Sequence, residues 1–420
     1  MRRLAPLLAL AVLALALSVA GCSRRDRANP LDPANPSTGG GPTGFNAIAD
    51  FGIVRLQWDA EPGLGIDGFL LERLAPADTV YRPIGSLLPA SLSRFTDFGV
   101  LNGKRYQYRL RFVVGGAPGT RAATDEATPG DARVWVSDPG WPALLRLSPD
   151  GRDVAQAIGV GAPNGLAYDR ASQYVWYTDL NDGQVGLYDP QVVATNRFSG
   201  FSDARELALD AVNESVWITD RQAGRVRHLY PTGASATPGS IELLDGPTGI
   251  AVDAGDRSVW ICENAGGRVR HYDVDGRAIS NTEFAAPWRV AVDSVTHVAW
   301  VTSLDRGLVT RIAGNGQALD TLRVASGPLG ITLDRDHDRV WIADAVGDRV
   351  IVVRLSDRAA VFTVSGLHGA RDIAVDRTTG EAWVVASTDH AVVRLSPTGA
   401  ILQRVSGLGN PTEIRFDAGN

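Results

Sequence analysis

Cysteine is nearly absent: Cys22 and Cys262 are the only two in 420 residues, too few for a disulfide-stapled scaffold. Lysine is reduced to Lys104 and methionine to a single residue, so the 41 basic residues are otherwise all arginine. No Lys/Arg run occurs, and the formal charge is −6. The chain therefore lacks the electrostatic footprint of a nucleic-acid binder. With 44% apolar and 21% charged residues it is not a disordered chain either. The sequence contains no HExxH, no GxSxG nucleophile elbow, no phosphate-cradling glycine loop and no CxxC pair, so no catalytic motif is on offer. What it does have is 46 Gly, 23 Pro and 10 Trp, a composition that favours turn-rich architecture over long helices.

The N-terminus reads as an address. Arg2 and Arg3 precede an apolar stretch from Leu4 to Leu17, and small residues lead into Cys22. Val19-Ala20-Gly21-Cys22 resembles the bacterial lipobox, which implies a signal peptide over 1–21 and a lipid on the Cys22 thiol. Ser23 follows the cysteine, where an Asp would retain such a protein in the inner membrane, so the outer membrane is the expected destination. Lipidation also consumes Cys22, leaving Cys262, inside the apolar SVWICE segment, as an inert core thiol. Residues 22–43 continue as a Pro- and Gly-rich tether.

Residues 44–130 carry short alternating strands: 54–59, 68–74, 81–86, 94–99 and 105–114. In the last, Tyr106, Tyr108, Leu110 and Phe112 share one face, with Gln107, Arg109 and Arg111 opposite. Period-2 alternation with one wet face predicts a β-sandwich. The segment resembles a fibronectin type III domain, with Trp58 as the core tryptophan and Leu101 and Tyr106 at the leucine and tyrosine corner.

From 131 to 420 the chain repeats. Trp135, Trp176, Trp217, Trp260, Trp300, Trp341 and Trp383 recur at intervals of 40 to 43 residues. Each but the first is led by an aspartate: Asp169, Asp210, Asp253, Asp293, Asp334 and Asp376, with Asp417 closing the chain. A unit such as 246–279 holds four short strands, the size of a propeller blade rather than of a helical solenoid repeat. The first unit starts at its Trp strand, and the missing strand is supplied by Pro411 to Asp417, which predicts seven blades closed by the C-terminus. The whole chain is thus expected to be all-β. The pattern GIAVD…VWI…GRVRHYD resembles NHL-repeat and streptogramin-lyase-like propellers, whose members include scaffolds, lyases and metal-dependent lactonases.

Residues common to every blade are scaffold, so a site is sought where blades depart from their own consensus. Four residues before each strand-end Asp stand Gly165, Glu206, Gly249, Arg289, Gly330, Asp372 and Glu413. The charged members replace glycine at what the resemblance makes the channel mouth, beside Asn164, Arg205, Trp288 and Arg371. Three residues after the Trp series stand Asp138, Asp179, Asp220, Glu263, Ser303, Asp344 and Ala386, a ring expected on the same face. The candidate ligand rim is Arg205, Glu206, Asp220, Glu263, Arg289, Arg371, Asp372 and Glu413, suited to an anionic or sugar-like ligand. In the competing reading these charges pair with one another and only solvate the funnel. Glu206, Asp220 and Glu263 could gather around a metal, but Arg205 and Arg289 oppose it, so no metal, cofactor or catalytic residue is assigned. His228 and His271 hold the same place in successive blades, His297 and His337 lie in turns before Trp strands, and His368 and His390 lie in loops.

The sequence thus predicts a lipid-anchored envelope protein, monomeric, whose propeller binds a protein, glycan or small anionic ligand. The alternative is an enzyme of streptogramin-lyase-like or metal-dependent lactonase or hydrolase type at the channel mouth.

Overall fold

The computed structural model describes residues 32–35, 38–130 and 133–417. Cys22 and the leader lie outside these residues. Among the described residues there is no helix, and so none long and apolar enough to cross a membrane. The chain divides into two compact units, 1–131 and 132–420.

The first unit is a two-sheet sandwich. One sheet pairs Asn46–Asp50, Ile53–Gln57 and Arg94–Asp97. The other is built on Tyr106–Val114, flanked by Gly68–Leu74 and Ala123–Ala127. Alternation along Tyr106–Val114 sends Tyr106, Tyr108, Leu110 and Phe112 into the core with Trp58, whose ring meets Phe69 edge-on at 5.6 Å. The Tyr106 hydroxyl accepts a hydrogen bond from the Leu101 amide at 3.0 Å, fixing the corner before that strand. The Leu101 side chain is 68% exposed, and its neighbour Val100 fills the core instead. Residues 81–86 contribute only the two-residue strand Arg82–Pro83, because proline removes a ladder donor. The tether also ends earlier than composition suggests. Gly40 and Gly41 are buried, and Thr43 bonds the Asp59 carboxylate at 2.8 Å.

The second unit contains seven four-stranded antiparallel sheets. Numbering blades from the first Trp strand, blade 1 combines Arg133–Asp138, Ala143–Leu147 and Val154–Gly159 with the C-terminal Glu413–Asp417 as its inner strand. Ile414 pairs with Val136 and Arg415 with Trp135, so the last strand completes blade 1 and closes the ring. Inner strands of blades 2 to 7 are Pro163–Tyr168, Ala204–Asp210, Pro247–Val252, Val290–Asp293, Pro328–Asp334 and Ala370–Val375.

The seven repeat tryptophans are at most 2% exposed and fill the spaces between blades. Strand-end aspartates cap the following turn: Asp169 accepts from the Ala171 amide at 3.0 Å, Asp253 from Gly255 and Asp376 from Thr378, both at 2.8 Å. In blades 1, 2, 3 and 5 a hydroxyl on the Trp strand (Ser137, Thr178, Thr219 and Thr302) stitches the blade to the next. Thr219, for example, accepts from the Glu206 amide of its own blade at 2.9 Å and donates to the Thr248 carbonyl of blade 4 at 3.0 Å.

Candidate functional site

The inner strands begin with an irregularity that aims the site. In blade 3, Ala204 pairs with Asp220 and Leu207 with Ile218, so Arg205 and Glu206 together oppose Thr219. Such a bulge re-aims side chains, and here it brings Glu206 to the axis. A similar shift between Ala370 and Asp372 turns Asp372 inward in blade 7.

Arg289 of blade 5 is the hub. Its guanidinium donates to Asp372 at 2.9 Å, to Glu206 at 2.8 Å and to Glu413. Arg415 donates to Asp372 at 2.7 Å and to Glu413 at 2.9 Å. Backbone amides complete the set: Leu166 donates to Glu413 at 2.8 Å, and Ile414 to Asp372 at 3.0 Å. Blades 1, 3, 5 and 7 are thereby tied together through the channel.

Three carboxylates face two guanidiniums, so full ionisation leaves an excess negative charge. The conflict falls on Glu206. Burial and the neighbouring Glu413 raise its pKa well above the usual carboxylate range despite the attraction of Arg289. Burial also opposes ionisation of Glu413, but Arg289, Arg415 and the Leu166 amide win and lower its pKa. Arg289 and Arg415 remain cationic, since their carboxylates outweigh the cost of burial.

Two chambers adjoin this cluster, and Glu206 and Arg289 line both. The upper one, where inner strands start, has a volume of about 60 Å³. It is lined by register-equivalent residues of six blades: Asn164, Arg205, Thr248, Trp288, Leu329 and Arg371. The lower one, about 430 Å³, is walled by Ile250, Val290, Ile331 and Ile373, with Arg415 and Arg377 among its polar groups.

Of the eight rim residues expected, the structure thus gathers Glu206, Arg289, Asp372 and Glu413 in one cluster, with Arg205 and Arg371 above it. Asp220 and Glu263 lie elsewhere. Asp220 is fully buried, accepts from the Ser202 and Asp203 amides at 3.0 and 2.9 Å and pairs with Arg225 at 3.2 Å, pinning the loop that enters its blade. Glu263 is equally buried and pairs with Arg270 at 2.7 Å and Arg268 at 3.3 Å. The ring after the tryptophans holds loops, as Asp344 also does with the Ser326 and Gly327 amides.

Arg415 was not among the expected residues. The other six blades carry Ala167, Ala208, Ala251, Ala291, Thr332 and Ala374 at its position, two before the strand-end Asp. The departure from consensus that exposes Glu206 exposes Arg415 equally well.

No histidine among the described residues lines either chamber. His228 lies flat on Trp217 and His271 on Trp260, both at 3.9 Å between ring centroids. Asp253, Asp256 and His297 come close enough together to hold a metal. However, His297 already bonds Asp253 at 2.8 Å, and Arg257, at the same turn position one blade earlier, reaches Asp210 at 2.6 Å. The trio is therefore a variant of an inter-blade pair.

Comparison with known proteins places this geometry on a known fold. No family model and no curated protein matches the chain. Solved structures do. Virginiamycin B lyase from Staphylococcus aureus superposes with a TM-score of 0.51 at 17% identity, over 58% of this chain and 84% of that one. A functionally unknown protein from Desulfotomaculum acetoxidans gives 0.59 at 14%, over 69% and 99%. A candidate 6-phosphogluconolactonase from Bacteroides uniformis gives 0.58 at 11%, over 68% and 99%. The second unit is a β-propeller. At such identities the likeness is one of fold, and the activities of those proteins do not transfer with it.

Proposed function

We propose that this is a lipid-anchored protein of the bacterial cell envelope whose propeller is a binding platform, with the upper mouth of the channel as its centre. The anchor is Cys22, read from the lipobox-like leader. The missing Asp after it favours the outer membrane. The sandwich resembles fibronectin type III domains and serves as a spacer, and the protein acts as a monomer toward a protein, glycan or small anionic partner.

The observation that carries the reading is the upper ring itself. At one register position, shared by all blades, the chain places Arg205, Trp288 and Arg371 around a concave mouth. Scaffold positions repeat, whereas these do not, and aromatic and arginine side chains are the types that anchor partners.

The enzyme readings find less support. A metal-dependent lactonase or hydrolase needs carboxylates free to ligate, and here all three in the channel converge on guanidiniums. That donor set does not fit a divalent cation. A lyase reading has no histidine among the described residues of either chamber to build on.

Site-specific photo-crosslinking in the producing cell tests the platform. A photoreactive residue replacing Trp288 is expected to yield a discrete adduct, and one replacing exposed Val212 in a turn at the opposite end of the blades is not. Adducts from Val212 alone, or from neither position, contradict it. In the same cells Cys22→Ser should move the protein from the membrane fraction to the soluble one.

A further inference from the structure

Arg371 is out of balance with its surroundings. Its Nε is buried with no hydrogen-bond partner, and among the described residues no carboxylate forms an ion pair with it. The neighbouring arginines are provided for: Arg289 has three carboxylates, Arg415 two, and Arg205 has Asp203 at 2.7 Å. The acids beneath Arg371 are already committed to Arg289 and Arg415. Burial and the adjacent Arg289 charge lower the Arg371 pKa, outweighing the attraction of Glu413, Glu206 and Asp372, none of which forms an ion pair with it. The chain could have avoided this, since Asn164, Thr248, Leu329 and Thr412 fill the same position with neutral side chains. A half-buried, unpaired guanidinium costs stability, and a cost borne at one blade only is what a binding site looks like.

A second observation bears on what is bound. Trp288, in the same ring, is half-buried, and among the described residues no other aromatic ring or guanidinium stacks on it. It differs in this from the repeat tryptophans, which are sealed between blades. The chamber of about 60 Å³ admits an acid group but not a whole ligand, so the rest of the molecule must extend outward past the indole.

We infer that the upper mouth is an oxyanion seat, in which Arg371 takes a carboxylate or phosphate and Trp288 takes the flat apolar group attached to it. The planar guanidinium fork suits either acid. Arg205, tied to Asp203, adds a flanking positive charge. This inference rests on the platform reading and narrows it to acidic partners.

Phenyl phosphate and benzoate, titrated calorimetrically into the detergent-solubilised full chain, are suitable probes, with benzyl alcohol as the neutral control. Saturable binding of at least one acid is expected, weakening as salt is raised. Which acid binds distinguishes a phosphate from a carboxylate partner. Arg371→Gln should lower that affinity about tenfold or more, and Arg371→Lys should lower it less. The Arg371→Gln melting temperature should equal or exceed that of the wild type, because an unpaired charge has been removed. A lower melting temperature would assign the guanidinium to the fold and overturn the inference. Acid probes that bind no better than benzyl alcohol, or that bind Arg371→Gln undiminished, overturn it as well. If crosslinks still form at position 288 in that case, the platform stands and only the acid-group assignment falls.

Discussion

Arg289 Nη1 lies 2.9 Å from Asp372 Oδ1, joining residues 83 positions apart through the central channel. Blades in a propeller contact mainly their neighbours, yet this arginine reaches blades 1, 3 and 7 at once. The channel centre therefore acts as an axle pin, and the upper mouth is built on a rigid floor.

Removing the pin should be costly. Arg289→Met leaves Asp372 and Glu413 paired with Arg415 alone and Glu206 without its ion pair, and breaking a buried pair of this kind costs on the order of 3–5 kcal/mol. Chemical denaturation is expected to show the loss. Arg289→Met combined with Glu206→Gln should recover part of it, because the two residues share one network.

Glu206 gives stability an unusual pH slope. Its folded pKa is raised above 4.5, so the folded chain keeps a proton that the unfolded chain releases. That contribution is complete below pH 4.5 and is lost as pH rises through the folded value. Glu206→Gln mimics the protonated acid and should flatten this part of the stability profile. An unchanged slope in the variant would place the proton elsewhere.

His228 acts in the opposite direction. Burial on Trp217 lowers its pKa from 6.5 to about 4, while its ring nitrogens meet Ser215 at 2.7 Å and the Pro238 carbonyl at 3.2 Å. The folded chain holds it neutral, so its contribution is present above pH 6.5 and is lost as pH falls towards 4. His228→Gln should remove that acid-side decline, which a melting-temperature series from neutral to acid pH would reveal.

Arg415→Ala restores the side chain of most other blades and should still destabilise the protein. It deletes two ion pairs, to Asp372 and Glu413, at a partly exposed site, so a loss of about 1–3 kcal/mol is expected. Deletion of residues 411–420 goes further. It removes the inner strand of blade 1 and reopens the ring at Arg133–Asp138, and the thermal transition of the propeller should broaden and shift to lower temperature.

Much of this was legible in the sequence because propeller blades repeat. The tryptophan spacing marked the blades, and their phase showed that the C-terminal strand completes the first. Departure from consensus picked out Glu206, Arg289, Asp372 and Glu413, and applied two residues later it would also have found Arg415. The ring three residues after the tryptophans, expected on the same face, misplaced Asp220 and Glu263, because a carboxylate at the end of a Trp strand lies within reach of loop amides and of arginines on the next strand, which satisfy it locally. Which acid pairs with which base was not legible, since the partners come from blades far apart in sequence and meet only at the axis. The isolation of Arg371 follows from those pairings and was hidden for the same reason.

The most direct test of the upper mouth as a binding centre is a crystal structure of the protein soaked with phenyl phosphate. The account predicts the phosphate on the Arg371 guanidinium with its ring against Trp288, and the Arg289 ion pairs unchanged beneath it. Full occupancy elsewhere on the molecule, with Arg371 turned onto a carboxylate of its own chain, would contradict it.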